Sequence, residues 1–149
     1  SEGRVDATIL AAAGLERLGL VPEHALAMAS PAWLPAPGQG IIVVQQRAGD
    51  PDVAGLVSQL ACARTTVQAR AERAVVAALG GDCTMPLAAH TFVDDERVVL
   101  RARLGDEDGQ LIDAEARGTL SEPEALGREA ADQLLNDGGR DLLERLNAS

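Results

Sequence analysis

Leu87 to Gly118 reads LAAHTFVDDERVVLRARLGDEDGQLIDAEARG, and its alternation decides the fold of the second half of the chain. Three strand-like segments, Leu87–Val93, Val98–Leu104 and Leu111–Gly118, are separated by turn residues at Asp94-Asp95 and Asp108-Gly109. Connections this short leave no room for a crossover, so the expected sheet is a three-stranded antiparallel meander. Arg101 and Arg103 alternate on the middle segment and read as its solvated face. His90 lies in an apolar run and reads as a satisfied or half-exposed sheet histidine.

On the C-terminal side, Ser121-Glu122-Pro123-Glu124 reads as a capping box with proline in the first turn, opening a helix to about Leu135. Asn136-Asp137-Gly138-Gly139 breaks it, and a last amphipathic helix carries Leu142, Leu143 and Leu146 on one stripe. On the N-terminal side a helix from about Thr65 to Leu79 presents Val67, Ala71, Ala74, Val75 and Ala78 at helical spacing, and Gly80-Gly81 ends it. Helix, three strands and two helices make a small α+β domain able to bury one sheet face. Glu72 and Arg73 on the first of these helices read as structural, locking the helix against its own domain.

The first 64 residues have a different texture. Val5 to Leu10 (VDATIL) reads as a buried strand, followed by a short helix from Ala12 to Leu18 that Gly19 stops. Pro22, Pro31, Pro35 and Pro37 make the next stretch a crossover loop. Ile41 to Val44 (IIVV) is a continuous β-branched run, as expected of a strand covered on both faces. Asp50 then caps a helix with Pro51 at its first position, running to about Ala61. These units cannot close a core alone, so the expected fold class is an α/β remnant followed by an α+β domain.

The 149 residues carry 13 arginines and no lysine against 23 acidic residues, a net charge of −10. That field repels nucleic acid and anionic membranes, and the absence of lysine excludes Schiff-base chemistry by these residues. One Trp, one Phe and no Tyr leave few stacking surfaces. No apolar run is long enough to span a bilayer. Two cysteines without a pairing pattern or signal sequence lead to the expectation of a cytoplasmic protein. His24, His90, Cys62 and Cys83 have no metal-ligand spacing, so no metal site is expected. Cys62, near Val57 and Leu60, reads as a packing residue on a helix face. Cys83 sits in Gly80-Gly81-Asp82-Cys83-Thr84-Met85-Pro86, between a helix and a strand. From the residues alone it stands open between an accessible loop thiol and a small buried hydrophobe.

Three motifs in order carry a family resemblance: Asp6 to Gly19 (DATILAAAGLERLG), Leu34 to Gly40 (LPAPGQG), and Ala71-Glu72-Arg73-Ala74 with the Gly81-to-Pro86 loop (GDCTMP). Together they resemble the porphobilinogen deaminase, or hydroxymethylbilane synthase, family, of which this chain would be about the C-terminal half. The resemblance implies a three-domain enzyme, with residues 1–36 ending the second α/β domain, 37–64 returning into the first, and 65–149 forming the cofactor-bearing third. It implies a transferase of tetrapyrrole (haem) biosynthesis that joins four porphobilinogen units head to tail, releasing ammonia, on a dipyrromethane primer held by a cysteine thioether. Cys83 matches the attachment position, where a thiolate suits attack on an electrophilic methylene-pyrrole. Arg17 matches an arginine that binds ring carboxylates, a task suited to paired guanidinium hydrogen bonds; an ion pair with Glu16 or Glu23 is the simpler reading of the residue alone. Gln39 matches the glutamine of a ligand-facing turn whose Gly38 and Gly40 let backbone approach closely.

Two departures stand beside the cysteine. Asp82 replaces a small residue and Met85 a β-branched one, and the adjacent carboxylate should raise the thiol pKa and slow thioether formation. The family's catalytic aspartate and most of its cationic residues lie in the N-terminal half, so no catalytic residue is expected in this piece, which alone should be inactive. The expected partners are porphobilinogen, the growing polypyrrole chain and the N-terminal half, with no nucleic acid or membrane. The parent is expected to be monomeric and the isolated piece prone to self-association. The alternative is a non-catalytic ligand-binding or interaction module derived from the same scaffold, which Asp82 favours.

Overall fold

The computed structural model describes residues 3, 5–20, 22–30, 32–81 and 85–147. The chain divides into two compact units, residues 1–33 and 34–149. Among the described residues of the first unit the only helix is α1 (Ala12–Arg17), in which no residue is buried. Gly19 at φ +65° ends the turn, and the Leu20 amide donates back to the Leu15 carbonyl at 2.9 Å. The strand expected at Val5–Leu10 does not form, and Val5, Ile9 and Leu10 are exposed. A strand exists by pairing, and the described residues of this unit offer no second strand to pair with.

The same correction applies to Ile41–Val44 in the second unit, where no strand forms and Ile42 and Val43 are 82% and 80% exposed. A β-branched run predicts burial on two faces, but the described residues supply neither a ladder nor a cover for it. Next comes α2 (Pro51–Ser58), begun as expected by Asp50, whose Oδ1 accepts from the Val53 amide at 3.1 Å. It stops short of the expected Ala61.

The core belongs to the remainder of the second unit. Helix α3 (Ala63–Ala78) leads to β1 (Leu87–Asp94), β2 (Arg97–Gly105) and β3 (Leu111–Thr119), then α4 (Pro123–Leu134) and α5 (Arg140–Asn147). The sheet is antiparallel in the order β1-β2-β3, the expected meander, with Ala89 opposite Ala102 and Ala102 opposite Ala114. Alternate residues of each strand bury one face: Leu87, Ala89, Thr91 and Val93, then Val98, Leu100, Ala102 and Leu104, then Ile112, Ala114 and Ala116. Helices α3 and α4 cover that face through Ala71, Val75, Leu126, Ala130, Ala131 and Leu134, and Leu142 of α5 completes the cluster.

Small residues set how closely the two helices approach. A Cβ added at Gly127 would lie 2.3 Å from the Ala71 carbonyl oxygen and 2.5 Å from the Ala74 Cβ. At the edge of this contact Arg70 pairs with Glu124. Helix α4 does not begin with the expected capping box. Its N-cap is Glu122, without a side-chain cap, while the Ser121 hydroxyl lies 2.8 Å from that of Thr119. Pro123 at the first position removes a donor that would otherwise need a cap. The break expected at Asn136–Gly139 is real, with Gly138 at φ +110° between α4 and α5.

Candidate functional site

The opposite face of the sheet is the solvated one, as its sequence predicts. Arg101 pairs with Glu115 at 2.7 Å, Arg103 with Asp113 at 2.6 Å and Arg117 with Glu115 at 2.6 Å. The two guanidinium groups beside Glu115 hold its carboxyl below the usual carboxylate range, chiefly through the hydrogen bond from Arg101. Arg101 also lies over the Phe92 ring at 5.8 Å, and His90 meets the same ring edge-on at 4.7 Å. These cations already have protein partners.

The edge of β1 is different. Ala89 and Thr91 turn their amides away from β2, to partners that come from elsewhere in the chain. The Ala89 amide donates to the Pro35 carbonyl at 3.0 Å, and the Thr91 amide to Glu72 Oε1 at 2.8 Å. The Thr91 carbonyl accepts from Gln68 Nε2 at 2.7 Å. Glu72 is only 3% exposed, and its second oxygen, Oε2, accepts from the Gly38 amide at 2.7 Å. Burying a carboxylate is costly unless its oxygens are satisfied, and here two backbone N–H groups satisfy them. His90 Nδ1 lies 3.7 Å from Oε1. Glu72 thus ties α3 to β1 of its own domain, in line with its structural reading, and in addition holds the turn at Gly38.

That turn is Pro37-Gly38-Gln39-Gly40. Gly38 and Gly40 have φ of +76° and +83°, left-handed values that suit glycine, and the Ile41 amide closes back on the Gly38 carbonyl at 3.1 Å. Buried Leu34 and the Pro35 hydrogen bond root the segment on the domain. Gln39, Gly40, Ile41, Thr65, Gln68, Glu72 and His90 surround an open recess of about 170 Å³. A carboxylate lies in its wall, and the cationic candidate among the residues lining it is His90. No arginine is among the lining residues, so the acidic groups of a polycarboxylate reaching Gln39 would draw their cations from outside the recess.

The expected attachment residue, Cys83, lies outside the described residues, as do Asp82 and Thr84. The stems on either side of them are described. Gly80 leaves α3 at φ +66°, and the Gly81 amide donates to the Val76 carbonyl. Met85 packs so tightly over Gly81 that a Cβ there would meet its sulfur at 2.8 Å. The Gly105 amide donates to the Pro86 carbonyl at 3.1 Å, fixing the entry to β1. Arg17 is exposed at the end of α1 in the first unit, and among the described residues it forms no ion pair with Glu16 or Glu23. Of the expected site residues, Gly38, Gln39 and Gly40 form one turn in the second unit, Arg17 belongs to the first unit, and Cys83 lies outside the described residues.

Cys62 is a correction. It is the exposed N-cap of α3 rather than a packing residue, and its thiol is held below the ordinary value by a hydrogen bond with the Thr65 side chain. Gln68 was not singled out by sequence reasoning. A signal existed, since Gln68 and Glu72 lie one helical turn apart beside the apolar stripe of Ala71 and Val75. Among the described residues no group of three or more His, Cys, Asp or Glu gathers as for a metal ion, and no helix is long and apolar enough to cross a membrane.

Fold and site define a helix-covered antiparallel α+β domain with a rooted glycine turn at one sheet edge, preceded by short helices. Two family models match in tandem: "Porphobilinogen deaminase, dipyromethane cofactor binding domain" over residues 1–55, and "Porphobilinogen deaminase, C-terminal domain" over residues 66–136. The chain belongs to the porphobilinogen deaminase family. It is 40% identical over 142 residues to the porphobilinogen deaminase of Roseiflexus sp. (strain RS-1), covering 95% of this chain and 47% of that protein. It is 41% identical over 145 residues to that of Xanthomonas axonopodis pv. citri, covering 97% and 48%, and 41% over 149 residues to that of Thiobacillus denitrificans, covering 99% and 48%. The chain thus spans about half the length of the curated relatives it matches.

Proposed function

We propose that this chain works as the C-terminal part of a porphobilinogen deaminase, a transferase of haem biosynthesis that condenses four porphobilinogen units head to tail with release of ammonia. The observation that carries the reading is the collinear match to both family models, with about 40% identity running through nearly the whole chain. On this reading residues 1–36 end the second domain of the parent protein, 37–64 return into the first, and 65–149 form the third. Cys83 would hold a dipyrromethane primer as a thioether, Arg17 would engage ring carboxylates, and Gln39 would meet the ligand from the turn that Gly38 and Gly40 shape. The primer, when bound, supplies the growing end to which pyrrole units are added. The residues of this chain bind and orient, and the catalytic acid belongs to the N-terminal half, so the piece alone is inactive. A cytoplasmic location and a monomeric parent follow the same reading.

A second reading, a non-catalytic ligand-binding or interaction module built on this scaffold, is favoured by Asp82, whose carboxylate opposes thiolate formation next to it. Intact-mass measurement separates the two. With the complementary half of the protein and porphobilinogen supplied, the deaminase reading expects an adduct of two pyrrole units that persists in Cys62→Ser and disappears in Cys83→Ser. An adduct that follows Cys62, or none on the wild-type chain, overturns it.

A further inference from the structure

The carboxylate of Glu72 does more than close an edge of the sheet, because it is shared between two backbone amides that belong to different segments. Oε1 accepts from Thr91 in β1 and Oε2 accepts from Gly38 in the glycine turn. Gly38 is held in a left-handed conformation, and its neighbour Gln39 donates its own amide to Ala36 at 3.0 Å. No other described side chain bonds the backbone of residues 37–40. Beyond Leu34 and the Pro35 hydrogen bond that root the segment, the turn itself is tied to the domain by one buried, doubly bonded carboxylate projecting from the middle of α3.

We propose that Glu72 is a positioning residue, which fixes the Gly38-Gln39-Gly40 turn on the α+β domain and so sets where Gln39 is presented to a ligand and in which direction Ile41 to Val44 depart. The part of this that concerns a ligand rests on the deaminase reading; the anchoring itself does not. A charged acceptor for a backbone N–H is worth more than a neutral one, and a glutamine in its place keeps the shape but offers only one acceptor oxygen. Thr91, inside a ladder, has other constraints on its position, whereas the turn has few.

Two measurements on the 149-residue chain test the anchor. In a pH titration followed by NMR, the Gly38 and Thr91 amide protons should share one step, because they report one carboxylate, and that shared step should vanish in Glu72→Gln; a further step seen at Thr91 alone belongs to its neighbour His90, whose Nδ1 lies 3.7 Å from Oε1. The absence of a step common to Gly38 and Thr91, or a common step that survives the substitution, overturns the proposal. Should Glu72→Gln fail to fold, the wild-type titration decides alone. In the folded variant, exchange of the Gly38 amide should quicken about tenfold while Leu100 and Leu104 stay unchanged; equal exchange at Gly38 overturns it. With the complementary half added, Glu72→Gln should raise the KM for porphobilinogen about tenfold and leave kcat within about a factor of two. The same substitution in a Gln39→Ala background should add nothing further, since both act through one contact. An unchanged KM, or full additivity, refutes positioning. If the wild-type mixture shows no turnover, the deaminase reading falls, and the two amide measurements still decide the anchor.

Discussion

Gly127→Ala is the substitution for which the structure sets the sharpest expectation. On an exposed helix this change stabilises, by about 1 kcal/mol, because alanine is the better helix former. Gly127 instead sits where α4 crosses α3, and the new methyl would lie 2.3 Å from the Ala71 carbonyl oxygen, 2.5 Å from the Ala74 Cβ and 3.1 Å from the Val75 amide nitrogen. Two of those atoms are backbone and cannot turn aside, so the helices must separate by about 1 Å to restore ordinary contact. Forced separation of a packed interface costs about 1–3 kcal/mol, and with rigid neighbours on every side the upper part of that range applies. Subtracting the helix-propensity gain leaves a net destabilisation of about 2 kcal/mol. Urea unfolding followed by circular dichroism should show a midpoint lower by about 1 M with an unchanged slope, taking a slope of about 2 kcal/mol per molar for a domain of this size. Gly55→Ala in α2, where an added Cβ meets nothing within 4 Å, is the control and should not lower the midpoint. A Gly127→Ala protein as stable as the wild type would refute the argument that glycine sets the crossing distance.

The remaining expectations concern surfaces and exchange. Because Ile42 and Val43 are exposed on an unpaired segment, the isolated chain should self-associate in light scattering, and Ile42→Lys with Val43→Lys should reduce the apparent mass; a monomeric wild-type chain sinks this reasoning. Amides of β1, β2 and β3 should exchange far more slowly than those of residues 5–20, whose helix α1 buries nothing, and uniform protection would show a core in that segment. The lowered thiol pKa of Cys62 means that its thiolate persists to lower pH, so alkylation should remain fast below the pH at which an ordinary cysteine slows; Thr65→Val should move the rate profile to higher pH, and an unmoved profile would remove Thr65 as the cause.

What could be read from the residues and what could not divide on a physical line. The meander from Leu87 to Thr119 was legible because its period-two alternation, its short turns and its buried face all lie within one stretch of chain. Val5–Leu10 and Ile41–Val44 misled because a hydrophobic pattern reports a demand for burial and says nothing about whether a partner is present. The capping box at Ser121 failed for a similar reason, since its hydroxyl had a neighbour in Thr119 that the motif does not encode. In the site, the left-handed turn at Gly38 and Gly40 was visible in its glycines. Its anchor was not, because the contact of Glu72 with Gly38 joins residues far apart in sequence and follows no periodicity.

The side chains that meet the outer strands have a mechanical consequence. Glu72 and Gln68 occupy the outward groups of Thr91, and Gln133 of α4 accepts from the Glu115 amide of β3 at 3.2 Å. At these positions helix side chains of the domain itself hold the strand-edge backbone groups that a foreign strand would need. Residues 34–40 are held by little more than buried Leu34 and the hydrogen bonds at Pro35 and Gly38, worth about 1 kcal/mol for a neutral bond and up to about 3 for a charged one. Pulling residues 34–40 away from the α+β domain would break those few links and leave every rung of the β1-β2-β3 ladder intact.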